Sequence, residues 1–549
     1  MHFFLPFRRA GRRFGWAVAI AVLSIFIGQG AVVQSAVAQG AVGQESAETA
    51  ARGRILLVLP FDNKTGQPSL EWIREAAPEI LGSRFASAGF TPLSRADRLY
   101  ALDHLGLPQA FQPSHASSLK IAQTLDADSI IVGSYSMEGG RVEAQAQIIS
   151  VPNLRMSQPI SASGDLHDLV AVFDTLAWKL TRQMDPTFNI ALETFVAAGA
   201  NVNLAAFEQY IRGITEQDQS ERIRHLNEAV KLNPDFSQAW MALARADYAS
   251  QQYERAATDF AKVKGNDADT LEASFYRGLA LMFSGEYTKA EAAFAEVARV
   301  LPLAPVLNNQ GVAISRQGHD GTALFRQAEA ADPNAPDYHF NLAVSLDRHG
   351  DRAGAQSEIA QYLKQRPNDS EAQEMQAAWK TPSTAAPVEP LERIVRGFDE
   401  VAFRQAAVVL DQVEAARLAA LTPMQRAQTL AAQAREYLSR GLLLESERLY
   451  QQAIAADDRS EAAHEGLAEV RERTGDTAGA RKEAEAALEL RPSVGAYLVM
   501  ARVDLADKRL GDAAREAGEA LKLNPGNKAA TEVLRQVNAQ QGGTSPKAP

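Results

Sequence analysis

From residue 204 onward the chain repeats itself, and this periodicity limits the fold more than any other feature of its 549 residues. Small residues recur at Ala244, Gly278 and Ala343 and again at Ala256, Ala290 and Ala355; rings recur at Phe260 and Phe294. Asn233-Pro234, Leu301-Pro302, Asp332-Pro333 and Arg366-Pro367 punctuate the pattern. Repeat starts near Ser237 and Leu271 lie 34 residues apart, the step from Gly278 to Gly311 is 33, and the third repeat is shortened in its second half. A unit this short holds no core of its own. It must be a helix pair whose apolar face is covered by its neighbours, so the pairs stack into a superhelix with a concave face. Small residues let paired helices approach, the phenylalanines fill the gaps between repeats, and proline, lacking an N–H, stops each second helix.

Period and pattern resemble the tetratricopeptide repeat (TPR). A degenerate first repeat runs from Leu204 to Asp235, and a first block spans 204–380, ending on an extra helix at 370–380. Residues 381–390 (TPSTAAPVEP) read as a Pro-rich linker, and 391–423 as an atypical helical pair ending at Thr422-Pro423. A second block covers 424–541, with Gly441, Tyr450 and Ala453, then Leu467, Ala468, Gly475, Ala480 and Pro492, then Tyr497, Ala501, Ala513, Ala520 and Asn524-Pro525. Its last helix caps the array, and 542–549 reads as a disordered tail. The resemblance implies a mainly α protein, a TPR α-solenoid in two blocks, preceded by a small α/β domain.

The N-terminus reads as an address. Arg8, Arg9, Arg12 and Arg13 precede an uncharged apolar run, Trp16 to Ile27, and Ala36-Val37-Ala38 supplies a small-residue cleavage site. At about 1.5 Å per residue that run spans roughly 18 Å, short of a bilayer's roughly 30 Å. Residues 1–38 are therefore expected to be a signal peptide and 39–53 a linker; an uncut signal would remain as an anchor. Four of the 56 basic residues leave with it and all 67 acidic ones stay, so the net charge moves from -11 to -15. A periplasmic or secreted bacterial protein is the expectation.

Residues 54–185 carry a different pattern. Ile55 to Leu59 is a continuous apolar run ended by Pro60, as for a strand covered on both faces. A helix with Trp72, Ile73, Ala76, Ile80, Leu81 and Phe85 follows, broken by Pro78, then helices over 95–104 and 117–125. A strand from Asp128, a Glu138-Gly139-Gly140-Arg141 hairpin turn and a return strand to Val151 complete a small mixed sheet. Val58-Leu59-Pro60-Phe61-Asp62-Asn63 together with Ala127-Asp128-Ser129-Ile130-Ile131-Val132-Gly133-Ser134-Tyr135 resembles the TolB amino-terminal-like domain of TolB and FlgO-like envelope proteins. That resemblance implies a protein-contacting module. The same Leu-Pro-Phe-Asp-Asn run reads equally as the closure of a buried strand.

Catalytic and metal motifs do not stand out. There is no cysteine, which removes disulfides, thiolate metal sites, thiol nucleophiles and a lipidated N-terminal cysteine. The nine histidines include no i,i+3 or i,i+4 pair, and no phosphate-binding or nucleophile-elbow motif occurs. His339 and His349 read as groove or surface residues. We expect no enzyme activity, no cofactor, no metal and, with an acidic balance lacking a basic stripe, no nucleic-acid partner. The groove is the better candidate. Counted from the first helix of each pair, it would be lined by Met241, Arg245, Tyr248, Phe275, Met282, Asn308, Asn309, Phe340, Asn341 and Arg348, a mix of anchors, amides and arginines suited to an extended peptide or a helix. Each of them reads equally as packing between helices. The same face of the second block carries Glu465, Glu469 and Glu472 and would suit a basic segment. The expected function is a scaffold for envelope or secreted proteins. The alternative is a sensor whose α/β domain binds a small molecule and whose array relays to a partner.

Overall fold

The computed structural model describes residues 54–109, 114–199, 203–264, 267–380, 390–397 and 413–542. The signal and linker readings at 1–53, the Pro-rich stretch at 381–389, residues 398–412 of the atypical pair and the tail after 542 lie outside the described residues. The protein is mainly α, a TPR-like solenoid with a small strand-containing N-terminal region. The chain divides into two compact units, Arg212–Ala415 and, jointly, Gln39–Ile211 with Ala416–Pro549.

The N-terminal region is built on β1 (Ile55–Val58), which pairs in parallel with β3 (Thr91–Pro92) and β4 (Ser129–Glu138). Leu56, Leu57 and Val58, whose side chains alternate between its two faces, are all buried, so both faces are covered and need the unbroken apolar run that the sequence supplies. β4 turns at Gly139 and Gly140, both at positive φ (57° and 83°), into β5 (Arg141–Ser150), its antiparallel partner along the whole length. β2 (Asp62–Asn63) pairs with β4, and β6 (Arg155–Met156) and β7 (Ile160–Asp165) pair with β5. Leu57, Ile130 and Ile149 share a core with α2 (Arg95–His104) and α3 (His115–Thr124). α4 (Leu169–Met184) packs on β5 and β7 and sets Phe173 edge-on to Phe61, centroids 5.6 Å apart.

Contrary to expectation, α1 (Ile73–Ser87) runs unbroken through Pro78. A proline four residues on leaves the Arg74 carbonyl without its helical donor. The Phe61 N–H fills that place at 3.1 Å. The Leu-Pro-Phe-Asp-Asn run thus closes a strand and repairs a helix. Phe61 is buried, and Asn63 accepts from the Thr65 N–H (2.9 Å) and donates to Glu71 (2.8 Å).

The first array begins with α6 (Leu204–Thr215) and α7 (Gln219–Leu232). It continues as the pairs α8 (Ser237–Ala249) and α9 (Tyr253–Phe260), α10 (Asp267–Phe283) and α11 (Tyr287–Val300), α12 (Ala304–Arg316) and α13 (Thr322–Ala331), and α14 (Pro336–Arg348) and α15 (Arg352–Gln365). α16 (Ser370–Lys380) follows. The helices before Pro234, Pro302, Pro333 and Pro367 each stop two residues short of the proline. At Gly278 a Cβ would lie 2.7 Å from the Phe294 ring, so the glycine sets how closely α10 and α11 approach. The atypical pair departs from expectation at its start: residues 390–397 hold no helix.

The second array runs from α17 (Pro423–Ser439) through α18 (Leu443–Ala456), α19 (Glu461–Thr474), α20 (Thr477–Leu490), α21 (Val494–Ala506) and α22 (Leu510–Leu523) to α23 (Lys528–Gly542). It shares its unit with the N-terminal region through α5 (Leu192–Ala197), which packs on α18 and α19. There the Ala191 N–H donates to Glu447 (3.3 Å), Gln451 donates to the Asn189 carbonyl (3.3 Å), and Thr194 meets Thr474 (3.1 Å). Glu447 is fully buried and faces Arg471 at 3.3 Å.

Candidate functional site

Residues 390–396 lie extended against α12 and α14, where two first helices of successive repeats form the concave face. Asn308 and Asn341 stand 33 residues apart and occupy the same position of their repeats, with Asn309 beside the first. All three amides are fully buried. Asn341 pairs with both backbone groups of Arg393, donating to its carbonyl (2.7 Å) and accepting its N–H (2.7 Å). Asn309 treats Val395 in the same way, at 2.8 and 2.9 Å. Asn308 adds a donation to the Arg393 carbonyl (3.0 Å) and binds both neighbours, accepting from Asn341 (2.7 Å) and donating to Asn309 (3.2 Å). A primary amide carries the same donor and acceptor as a peptide group, so the two pairs hold alternate residues as a neighbouring β-strand would.

Side chains of the extended segment are met individually. Glu392 is buried, its carboxylate shared by Arg348, Ser315 and Arg316, the last at 3.3 Å. The same arginines reach the backbone, Arg316 to the Glu392 carbonyl (3.2 Å) and Arg348 to that of Pro390 (3.0 Å). Arg393 lies over the Phe340 and Tyr362 rings, 3.9 and 4.8 Å from their centroids, and its guanidinium meets Asp369 at 2.9 Å and Glu371 at 3.3 Å. Burial pushes the Asp369 carboxyl up, but hydrogen bonds from Tyr362 and Arg393 outweigh it and hold it at about 2. Burial pushes the Tyr362 hydroxyl to about 12, assisted by its bond to Asp369. Ile394 packs on the core around Phe294, Val395 packs beside Leu307 and Tyr338, and Arg396 lies over Phe283 at 5.2 Å.

Of the ten groove positions read from the sequence, Asn308, Asn309, Phe340, Asn341 and Arg348 converge on this segment. Phe340 does so from the core rather than the surface: it is fully buried, edge-on to Tyr362 at 5.3 Å, and only its outer face meets Arg393. Met241, Phe275 and Met282 are core residues as well, because the helix face they occupy is covered by the next repeat. Arg245 pairs with Glu272, and Tyr248 packs edge-on to Tyr253 (5.5 Å) and Tyr276 (5.9 Å). The sequence reading missed Ser315, Arg316, Tyr362, Asp369 and the segment itself. One signal existed: Ser315 and Arg348 are again 33 residues apart, the register of the two asparagines.

The expectation for the second array changes too. Glu469 pairs with Arg473 (2.5 Å) and Glu472 with Arg502 (3.1 Å), so two of its three groove carboxylates already have cations. His339 is neither a groove nor a surface residue. It is buried between Glu358 (2.7 Å) and the Pro333 carbonyl (3.0 Å), and His464 repeats the arrangement with Glu483 (2.7 Å) and the Asp458 carbonyl (3.0 Å). Among the described residues, Asp165, His167 and Asp168 could reach a common ion, but all three are exposed on the N-terminal region. No helix among the described residues is long and apolar enough to cross a membrane.

Fold and site together define a TPR solenoid whose first concave face holds an extended stretch of polypeptide. The chain carries tetratricopeptide repeats: that family model matches residues 223–270, 242–305 and 431–494. Among solved structures, MamA (residues 41 to its end) from Desulfovibrio magneticus RS-1 aligns over 32% of this chain and 99% of its own at 22% identity, TM-score 0.28. YrrB, described as a TPR protein with an unusual peptide-binding site, aligns over 37% and 99% at 13% identity, TM-score 0.28. The LpoB C-terminal domain from Salmonella enterica aligns over 28% and 98% at 16% identity, TM-score 0.18. No curated protein compared with the chain matches it.

Proposed function

We propose that this chain is a non-enzymatic protein–protein interaction scaffold, exported to the bacterial cell envelope, whose first array takes partner segments in its concave face. The observation that carries the reading is the set of three asparagines. Burying three primary amides costs about 1–3 kcal/mol each unless every one is partnered, and here the partners are the N–H and C=O groups of an extended backbone. Such a site is built for polypeptide. The N-terminal region, with its resemblance to TolB/FlgO-like domains, would contact a further envelope protein, and the basic, apolar, small-residue N-terminus supports export.

The test places the photo-crosslinking residue p-benzoylphenylalanine at Arg245, half-exposed on the concave side, in chains expressed with their own N-terminus. Irradiated cells should yield adducts with other envelope polypeptides, and the mature protein should begin at Gln39. Adducts confined to the chain itself would sink the scaffold reading. An intact Met1 on protein found only in the cytosolic fraction would sink the export reading.

A further inference from the structure

The groove recognises its occupant by more than backbone. Residue 392 enters a pocket made by two guanidinium groups and a hydroxyl, which selects a carboxylate. Residue 393 lies on two aromatic faces with Asp369 and Glu371 at its tip, which selects a guanidinium over a compact ammonium. Residues 394 and 395 pack on apolar clusters on alternate sides, as an extended strand requires. Each contact is lost if the segment slips by one residue, because the asparagines fix register at 393 and 395.

We propose that the first array's groove reads a segment of the form acidic–arginine–aliphatic–aliphatic in extended conformation, and that Glu392-Arg393-Ile394-Val395 is its built-in occupant, to be displaced by a partner protein carrying a segment of the same chemistry. The proposal rests on the reading of this groove as a polypeptide site. The occupant belongs to the same chain as the groove, so its binding is intramolecular, with an effective concentration on the order of 1 mM. For a free segment of about 10 µM intrinsic affinity, that competition weakens binding about 100-fold. The groove is therefore closed to weak or mismatched segments and open to those that match.

The experiment uses the fluorescein-labelled peptide Pro-Leu-Glu-Arg-Ile-Val-Arg-Gly and the full chain. Glu392→Lys with Arg393→Glu turns both specificity contacts repulsive while leaving every groove residue in place. Fluorescence anisotropy should show the peptide binding this variant at least about tenfold more tightly than the unaltered chain. A peptide carrying the same two substitutions should bind neither. Hydrogen exchange on the unaltered chain supplies a second readout: the fragment covering 390–397 should be protected, and excess peptide should remove the protection. Equal affinity for both chains, with an unprotected fragment, overturns built-in occupancy while the groove remains a peptide site. Equal binding of the native and substituted peptides overturns the sequence reading. Binding to neither chain up to 1 mM peptide overturns the proposal; Arg245 adducts with other polypeptides would then leave the scaffold reading standing, and their absence would remove it as well.

Discussion

Raising the pH should loosen both arrays through two matched histidine pins. His339 of α14 bridges to Glu358 of α15, and His464 of α19 bridges to Glu483 of α20; the second ring nitrogen of each meets a backbone carbonyl. A carboxylate and a carbonyl can only accept, so both nitrogens must carry hydrogen and the imidazolium is the form that fits. Accordingly, the hydrogen bond to glutamate raises each histidine above its ordinary 6.5, against the lowering effect of burial. A group whose pKa is higher in the fold than in the unfolded chain contributes stability that is complete below the unfolded value and is lost as pH climbs through the folded one. The loss therefore begins above about pH 6.5.

Hydrogen bonds to charged groups contribute about 1.5–3 kcal/mol. Glu358 is about a quarter exposed, and Glu483 keeps Arg471 at 3.3 Å when the histidine discharges, so about 1–2 kcal/mol per pin is the better expectation. Urea unfolding followed by far-UV circular dichroism, from about pH 5.5 to about pH 9, would compare the protein with a His339→Gln/His464→Gln variant. Arrays lose two-state behaviour, so midpoints are compared at each pH. At the acidic end the variant should be less stable by about 2–4 kcal/mol, and the difference should shrink toward zero at the alkaline end. Taking the difference cancels carboxyls common to both proteins, such as Asp174, which burial pushes up to about 6 despite its pairing with Arg84. A gap that stays constant across the range would refute the argument, since it would mean that the rings act by packing alone.

Three further outcomes follow from the packing. Phe340→Ala should cost about 3–5 kcal/mol and lower the midpoint reported by the fluorescence of Trp379, which packs on the same cluster; unchanged stability would put Phe340 on the surface. Gly466→Ala should lower the melting temperature despite a helix-propensity gain of about 1 kcal/mol, because its Cβ would sit 2.1 Å from the Tyr450 ring; a higher melting temperature would refute that contact. Glu447→Ala removes the acceptor of the Ala191 N–H and of Gln451 while Arg471 keeps Glu483, and amide exchange around 189–197 should rise about tenfold; unchanged exchange would mean that the docking of α5 does not depend on this carboxylate.

The solenoid was legible because its determinants are local and repeated. Alanines and glycines mark where helices touch, and prolines mark where they end. Individual side chains were less legible, because a residue on the first helix of a pair faces either the groove or the next repeat, and a shift of one position on a 3.6-residue turn decides between them. Phe275 and Met282 fell on the packed side. Pro78 misled for a related reason: whether a proline breaks a helix depends on what else can bond the freed carbonyl, and Phe61 lies outside the helix. The attachment of α5 to the second array likewise joins residues more than 250 positions apart and left no periodic trace.

The occupant of the groove was hidden for a different reason. Leu391 to Arg396 has no Gly or Pro and carries helix-compatible residues, so local preference places a helix there. Extended structure wins because a helix would spend the 393 and 395 backbone groups on itself and leave the Asn341 oxygen and the Asn309 amide nitrogen buried without partners. Two such amides, together with a carboxylate between two guanidinium groups and an arginine on two rings, outweigh the few tenths of a kcal/mol per residue by which such side chains favour helix. The asparagines and Arg348 were legible as suited to an extended peptide; what their pattern could not carry was whose peptide it is. A site specific enough to overrule the helical preference of its own chain is also specific enough to reject most segments offered by another. Self-occupancy and partner selection are consequently two effects of one set of contacts, and a substitution among the groove residues, such as Asn341→Ala, should weaken both, whereas one in the occupant frees the groove.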